Sequence, residues 1–473
     1  MKRWLVGSLS LLSLVVSARS EAFCGFFVAG SNEKLTNNAS QVAILREGNH
    51  TSLTMSNTYQ GPPQNFAMVV PVPVVLKKED VKTLPLDVFA HIDALSAPRL
   101  VEYWEQDPCA PRYNEKWASP GAAPTAGAAG RSMDKDDGAH GVKIEAQFAV
   151  GEYEILVLSA KESGGLETWL REHAYTIPQG AAEALAPYVR SQMKFFVAKV
   201  DIKKVKRDAR GTVQLSPLRV SYDSNEVRLP VRLGLLNAEA KQDLIVYLLD
   251  PKSRFEAANY PNVFIPTNLD VVEQVKKDFA SFYAELFDAT LAPRQGKAIV
   301  TEYAWQTSSC DPCPTEPLTP GDLVTLGARG QGTAGYHGQW NGGDYSPWVL
   351  TRLHTRYDRT TLTDDLVFKT APPMMGGRAE WNGASADAGA ARSTDGTNNF
   401  QGRYIVRNYW KGPVACQSPH YGNWGGPPGG GANTPIAARG LATAPRGRVA
   451  LRSVVQSPIP TLGIPGQPPP RRK

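Results

Sequence analysis

The 473-residue chain lacks several patterns that would assign it an activity. Beyond its N-terminal segment no apolar run reaches the roughly 20 residues that cross a bilayer, so we expect no transmembrane segment in the mature chain. Its seven histidines are scattered, without a His-x-x-x-His pair. It contains neither a Gly-x-Ser-x-Gly sequence nor a phosphate-binding glycine loop. We therefore predict no catalytic residue, no metal ligand and no cofactor.

Acidic residues are absent from residues 417–473, and this absence changes how the net charge of +6 is interpreted. That tail contributes +7 and residues 1–22 contribute +2, so the remaining body carries −3. A protein that binds nucleic acid needs a basic face on the fold itself. The charge distribution thus argues against nucleic acid as a partner.

The N-terminus has the pattern of a secretory signal peptide. Lys2 and Arg3 precede an uncharged apolar run over residues 4–16, and Ser20 and Ala22 are small residues at the positions that a signal peptidase reads. We predict cleavage near Ala22, with a site four residues earlier as the second choice. The mature protein would then be exported, to the periplasm or the medium.

Composition divides the remaining chain into three parts. Residues 23–326 form an α+β body that contains an Ala-, Gly- and Pro-rich insertion at 110–141. Residues 327–416 are rich in Gly and Trp and form either an elaboration of the body or a second domain. Residues 417–473 are dominated by Gly, Pro, Ala and Arg, and we expect this tail to be disordered.

Apolar patterning predicts strands in the body. Continuous apolar runs at 155–158, 195–200 and 244–249 are typical of fully buried strands, and strict alternation over 227–235 is typical of a half-buried one. Leu53 and Met55 predict another strand, which residues 60–63 would connect by a turn to a strand at 66–75.

Three helices interrupt these strands. They are predicted at residues 166–170, at 181–186 and at 272–286, the last with Asn268 as its N-cap. Runs of strands with inserted helices favour an α+β fold whose body is a mainly antiparallel β-sheet.

Four segments of the body resemble a known family. They are Tyr59–Pro73, Gly151–Leu158, Leu166–Val189 and Val300–Tyr303, and they occur in the same order as in the exported bacterial proteins of domain-of-unknown-function family 2330. The resemblance implies an exported protein without an assigned activity. It supplies no catalytic residues, because the shared segments consist of Pro- and Gly-containing turns and apolar core positions.

Five cysteines are candidates for disulfides in an oxidising compartment, and the odd number leaves one unpaired or bonded to another molecule. They are Cys24, Cys109, Cys310, Cys313 and Cys416. Two similar stretches precede three of them: Glu102-Tyr103-Trp104 lies before Cys109, and Glu302-Tyr303-Ala304-Trp305 lies before the Cys310–Cys313 motif. Each is predicted to be a strand end followed by a cysteine-anchored turn.

The Cys-Asp-Pro-Cys motif at 310–313 has three interpretations. A redox-active pair needs a helix N-terminus or a neighbouring cation to stabilise a thiolate, but prolines follow the motif and no Lys or Arg lies within it. A zinc site needs a second ligand pair, which the sequence does not offer. A structural disulfide is therefore preferred, with redox and metal roles as alternatives.

Tryptophans are concentrated between residues 340 and 424, beside several asparagines. Trp340, Trp348, Trp381 and Trp410 are candidates for contact with a carbohydrate or another partner, and the alternative is local packing. These observations favour a non-enzymatic binding or structural role, with an envelope component as partner. The alternative is an exported enzyme, either a hydrolase or a thiol–disulfide protein.

Overall fold

The computed structural model describes a set of segments that together contain most of the chain. They are residues 26–28, 39–56, 67–110, 141–173, 175, 177–201, 203–207, 213–237, 241–329, 348–378, 390–393, 396–430, 434–438 and 444–468. The predicted signal peptide, Cys24, most of the 110–141 insertion and the predicted turn at 60–63 lie outside these residues.

The described helices and strands alternate irregularly along the chain. The helices are α1 (Asp87–Ser96), α2 (Ser163–Glu172), α3 (Ala181–Arg190), α4 (Phe279–Leu291), α5 (Pro320–Leu326) and α6 (Leu451–Val454). The strands are β1 (Phe26–Val28), β2 (Ala39–Glu47), β3 (His50–Met55), β4 (Ala67–Val72), β5 (Val81–Thr83), β6 (Arg99–Glu105), β7 (Val142–Val150), β8 (Tyr153–Ala160), β9 (Lys194–Val200), β10 (Lys206–Arg207), β11 (Val213–Gln214), β12 (Leu218–Asp223), β13 (Val227–Leu229), β14 (Gln242–Asp250), β15 (Arg254–Ala257), β16 (Asn262–Phe264), β17 (Leu269–Asp270), β18 (Ile299–Gln306), β19 (Val349–Tyr357), β20 (Leu366–Ala371), β21 (Met374–Gly376), β22 (Ala391–Arg392), β23 (Asn399–Gln401), β24 (Arg403–Asn408), β25 (Trp424–Gly425) and β26 (Ile436–Ala437).

One large sheet organises the molecule. Its order is β22-β21-β23-β18-β19-β14-β2-β3-β12-β5, and β16 pairs with the outer part of β18. Most pairings are antiparallel, whereas β14 and β2, β16 and β18, and β21 and β23 run parallel. Strand β19 lies near the middle, between β14 and β18, although it comes from the segment after residue 326.

In a second sheet, β1-β4-β9-β8-β7, the inner strands β4 and β9 are buried on both faces. Alternate residues of β4 serve two cores, because successive side chains of a strand point to opposite faces. Val70 packs in the core shared with the large sheet, while Val69 packs against α2 and α3 through residues such as Trp169 and Leu185. Burial on both faces explains the continuous apolar runs at 155–158 and 195–200, whose predicted strands are confirmed as β8 and β9.

The opposite face of the large sheet is covered by helices α1, α4 and α5. Helix α4 packs on β18 through Phe282 and Leu286, in a core that includes Val300 and Ala304. Helix α1 packs in a separate core that includes Trp305. A smaller sheet, β17-β24-β6-β25, is connected to this region, and β24 pairs in parallel with β6. Mostly antiparallel sheets with helices packed on them confirm the α+β class.

The expectation of disorder does not hold for the described part of the tail. Val455, Ile459 and Ile464 are 0%, 3% and 5% exposed and belong to the core that contains α4. The backbone N–H of Val272 donates to the carbonyl of Val454 at 2.9 Å. Composition alone misled here, because a few apolar anchors suffice once another element supplies the rest of the core.

Three local predictions also need correction. The strand at 227–235 ends at Leu229, because Pro230 has no N–H to continue a ladder, and a 3-10 helix follows at Leu233–Asn237. The strands at 53–55 and 67–72 do not form a hairpin, since β3 pairs with β2 and β12 while β4 pairs with β1 and β9.

The predicted helix at 272–286 is also divided in the structure. A 3-10 helix covers Glu273–Asp278, and the α-helix follows with Asp278 as its N-cap, accepting from the N–H of Ser281. Asn268 instead accepts a hydrogen bond from the guanidinium of Arg403 at 2.9 Å. Among the described helices, none combines the length and apolar character needed to cross a bilayer.

Candidate functional site

A buried polar cluster lies between α4 and the large sheet. Glu302 on β18 accepts hydrogen bonds from the Tyr283 hydroxyl at 2.5 Å, from His354 Nδ1 at 2.7 Å and from Arg352 Nε at 2.6 Å. The other ring nitrogen of His354 lies 3.1 Å from Asp243 Oδ1. Glu302 and His354 are both at most 1% exposed, so substrate cannot reach this cluster.

Attraction between opposite charges keeps Glu302 and His354 ionised in this buried cluster. Burial alone would raise the pKa of Glu302, but the charges of His354 and Arg352 outweigh it and lower that pKa to about 2. Burial alone would lower the pKa of His354, but Glu302 and Asp243 raise it to about 9. At neutral pH the cluster holds a carboxylate between two cations. It joins β18, β19, β14 and α4, which is a structural role.

A Ser–His–Asp arrangement occurs on β3 and β12. His50 Nδ1 lies 2.7 Å from Asp223 Oδ1, and His50 Nε2 lies 3.5 Å from Ser52 Oγ. Ser52 is 0% exposed, and a Cβ atom at Gly327 would collide with its hydroxyl, so the backbone at the end of α5 covers it. A nucleophile must be open to its substrate. This arrangement therefore does not provide a hydrolase site in the described conformation.

The four described cysteines form two disulfides. Cys109 is bonded to Cys416 across a sequence separation of 307, and Cys310 is bonded to Cys313. No helix begins at the second pair, because α5 starts only at Pro320. Among the described residues no group of three or more His, Cys, Asp or Glu side chains could hold a metal ion.

The four predicted tryptophan contacts have different environments. Trp348 is 0% exposed and packs in the core beside α1, so for this residue the alternative of local packing holds. Trp340 and Trp381 lie outside the described residues. Trp410 is half-buried at the surface, in a loop that follows β24.

We define the aromatic loop as residues 409–424, which connect β24 to β25. Glu105, at the end of β6, is 3% exposed and is hydrogen-bonded to this loop. Its carboxylate accepts from the backbone N–H of Trp410 at 3.2 Å and of Gly422 at 2.7 Å. The Cys109–Cys416 disulfide fixes the middle of the loop to the same segment.

Further backbone contacts complete this attachment. The N–H of His420 donates to the carbonyl of Pro108 at 2.8 Å, and the N–H of Gln106 donates to the carbonyl of Asn423 at 2.8 Å. The loop is therefore tied to residues 105–109 at several points along its length. Such fixing lowers the entropy that a loop loses when a ligand binds.

The loop presents aromatic rings beside polar groups. Tyr409 and Trp424 meet edge to face at 5.3 Å, and the guanidinium of Arg407 lies 4.7 Å from the Trp424 ring centroid. Tyr421 is 42% exposed and Val414 is 41% exposed. Tyr409, Trp424 and Arg407 thus form one packed group at the ends of the loop.

An open groove of about 730 Å³ lies elsewhere, between α4 and the tail. Its lining is mostly apolar, and its two carboxylates already have partners. Asp288 binds Arg446 at 3.2 Å, and Glu285 accepts from the N–H of Gly447. The groove therefore offers no pair of groups suited to catalysis.

Fold and site together define an α+β protein with two disulfides and a surface of aromatic rings on a fixed loop. The chain belongs to the family described as uncharacterized protein conserved in bacteria (DUF2330), which matches residues 18–369. No curated protein and no solved structure matches it. The Cys310–Cys313 pair lies within the matched region, whereas the aromatic loop follows it.

Most of the groups that build the aromatic loop carry no distinctive pattern in the sequence. Glu105 gave no signal, because a single acidic residue at a strand end is common. Tyr409 and Trp424 were overlooked because composition, rather than position relative to a cysteine, selected the tryptophans. The repeated strand-and-cysteine pattern was the useful clue, since β6 and β18 both lead into a disulfide.

Proposed function

We propose that this chain is an exported protein of the bacterial envelope or its surroundings that binds a saccharide through the aromatic loop without reacting with it. The observation that carries the proposal is the set of half-exposed rings held by Glu105 and the Cys109–Cys416 disulfide. Aromatic rings offer a large contact area with little conformational freedom to lose.

The chemistry of the loop favours a sugar over an apolar partner. Tyr421 is exposed and Trp410 and Trp424 are half-buried, and the exposed His420 and Asn423 lie next to Tyr421 and Trp424 in sequence. Flat apolar rings beside hydrogen-bonding groups match the alternating apolar faces and hydroxyls of a sugar ring. No acidic residue lies within residues 409–424, so the loop itself has no negative side chain that would repel an anionic glycan.

Export is supported by two independent features. The N-terminal pattern predicts a signal peptide, and the two disulfides are typical of proteins in oxidising compartments. Intact-mass measurement of the exported protein should give an N-terminus at Phe23, with Arg19 as the second choice. Exported material that retains Met1 would contradict the signal peptide.

The binding test compares one ring in the loop with one outside it. Trp410→Ala should weaken binding to chitin hexasaccharide or soluble peptidoglycan fragments at least about tenfold, equivalent to about 1.4 kcal/mol. Isothermal titration calorimetry on the full chain measures this. Phe264→Ala is the matched control, because Phe264 is 38% exposed on β16.

The control should leave saccharide affinity unchanged. Equal weakening by both substitutions, or the absence of binding to every glycan tested, would overturn the proposal. The hydrolase alternative predicts instead that the glycan is cleaved and that Ser52→Ala abolishes the cleavage. The covered position of Ser52 argues against that result.

A further inference from the structure

The Cys310–Cys313 disulfide lies at the surface, in the connection between β18 and α5. Cys313 is exposed, whereas Cys310 is half-buried and packs at the edge of the core beside α1. A reagent or partner can thus reach the Cys313 sulfur. The Cys109–Cys416 disulfide has no exposed member, since both of its residues are half-buried.

A buried cation lies directly behind this motif. Arg99, on β6, is 0% exposed, and its guanidinium donates to the carbonyl of Pro312 at 2.8 Å and to the carbonyl of Leu95. The same group lies 5.9 Å from the centroid of the Tyr303 ring. No Lys or Arg occurs within the motif, but the fold brings one to it from 213 residues away in sequence.

Arg99 lies among both cations and an acidic group. Burial lowers the pKa of Arg99 to about 10, and the neighbouring Arg352 and Arg403 act in the same direction. Tyr303, and Asp311 inside the motif, oppose this lowering of the Arg99 pKa. A cation next to a Cys-x-x-Cys pair favours the thiolate over the thiol.

We propose that Cys310 and Cys313 form a thiol–disulfide exchange site, in which the buried guanidinium of Arg99 stabilises the thiolates and the exposed Cys313 sulfur receives the attack. The substrate class is a protein or small molecule that carries two thiols. Arg99 is a positioning residue, because it contacts the motif backbone and not the substrate.

The exchange proceeds in two steps, and each step forms one bond to sulfur and breaks another. A substrate thiolate attacks Cys313 Sγ and forms a mixed disulfide, while the bond to Cys310 breaks and Cys310 leaves with the electron pair as a thiolate. The second substrate thiolate then attacks the substrate sulfur of the mixed disulfide and releases Cys313. The substrate loses two electrons and becomes a disulfide. Its two protons pass to the reduced cysteines or to solvent.

Contacts other than the disulfide also hold the connection between β18 and α5 in place. Gln401 donates to the carbonyl of Asp311, and His91 Nε2 lies 2.9 Å from the carbonyl oxygen of Glu316. Together with Arg99 these contacts keep the motif in place after reduction. A reduced pair that stays in position can become a disulfide again by the reverse exchange with a disulfide-bearing molecule, which is reduced to a dithiol.

The first measurement uses the full oxidised chain and dithiothreitol as the dithiol. Differential alkylation and peptide mass mapping should show that Cys310–Cys313 is reduced at least tenfold faster than Cys109–Cys416, which serves as a control within the same molecule. Equal rates, or faster reduction of Cys109–Cys416, would overturn the proposal.

The second measurement tests Arg99 through a pH profile. In the reduced wild type, iodoacetamide alkylation of the pair should reach half its maximal rate at least one pH unit below about 8.5, the value of an ordinary thiol. Arg99→Gln should move this midpoint up towards the ordinary value, and Arg99→Lys should retain it. A wild-type midpoint at or above the ordinary value would refute the site, and this result does not depend on whether either Arg99 variant folds.

Discussion

His354 is buried between two carboxylates and an aromatic ring. Glu302 and Asp243 hold its two ring nitrogens, and the ring of Phe287 stacks on it at 4.0 Å. Since the pKa of His354 rises to about 9, its ring is charged at neutral pH although it is fully buried. The charge is tolerated because two carboxylates surround it.

This environment makes stability depend on pH in both directions. His354 titrates near 6.5 when unfolded, so its contribution is complete below that pH and is lost as pH rises from 6.5 to about 9. Glu302 titrates near 4.5 when unfolded, so its contribution is complete above that pH and is lost as pH falls from 4.5 to about 2. We expect the alkaline loss to be about 3 kcal/mol.

Urea unfolding between pH 6 and pH 10 measures the alkaline loss. His354→Gln should lower stability at neutral pH and flatten the dependence above pH 6.5. His420→Gln is the control, since His420 is exposed on the aromatic loop and should keep the wild-type slope. An unchanged slope in His354→Gln would show that other groups cause the pH dependence.

At the scale of elements, the tail completes the covering of α4. Residues 451–464 pass over this helix and place three apolar side chains against it, and Val455 also forms an isolated antiparallel bridge with Val271. The tail thus contributes to folding although it contains few apolar residues.

Two isoleucines of the tail test this contribution. Ile459 is 3% exposed, so Ile459→Ala should lower the free energy of unfolding by about 2–5 kcal/mol. Ile436 on β26 is 40% exposed, so the same substitution there should change it by less than about 0.5 kcal/mol. Chemical denaturation of both variants gives the comparison, and equal effects would contradict the packed tail.

Apolar patterns predicted strands and helices correctly where the residues of one segment are enough to determine its structure. The run at 244–249 became β14 because both of its faces are buried, and the helices at 166–170 and 181–186 became α2 and α3. Patterns failed where a partner distant in sequence decides the outcome. Arg99 beside Pro312 and Glu105 beneath Trp410 depend on which strands meet, and one sequence does not contain that information.

For the whole molecule, the two disulfides differ in what they join. Cys109–Cys416 connects residues 307 apart in sequence, whereas Cys310–Cys313 connects residues 3 apart. Closing a longer loop removes more entropy from the unfolded chain. Replacing Cys109 and Cys416 with Ser should therefore lower the free energy of unfolding by about 2–5 kcal/mol, and the same change at Cys310 and Cys313 should lower it less.

Guanidinium unfolding of the two double variants, each without reductant, distinguishes these contributions. The midpoint of the Cys109/Cys416 variant should lie clearly below that of the Cys310/Cys313 variant. The reverse order would mean that the tight pair contributes through the folded state, beyond its effect on loop entropy.

The bond between Cys109 and Cys416 also makes a covalent ring out of much of the chain. A protease that cuts once anywhere between the two cysteines opens the ring but releases nothing, because both products remain linked through sulfur. Such a nicked molecule would migrate as one species on a non-reducing gel and as two after reduction. Because of this covalent ring, a single cleavage of the backbone would not separate the β-strands that form the large sheet.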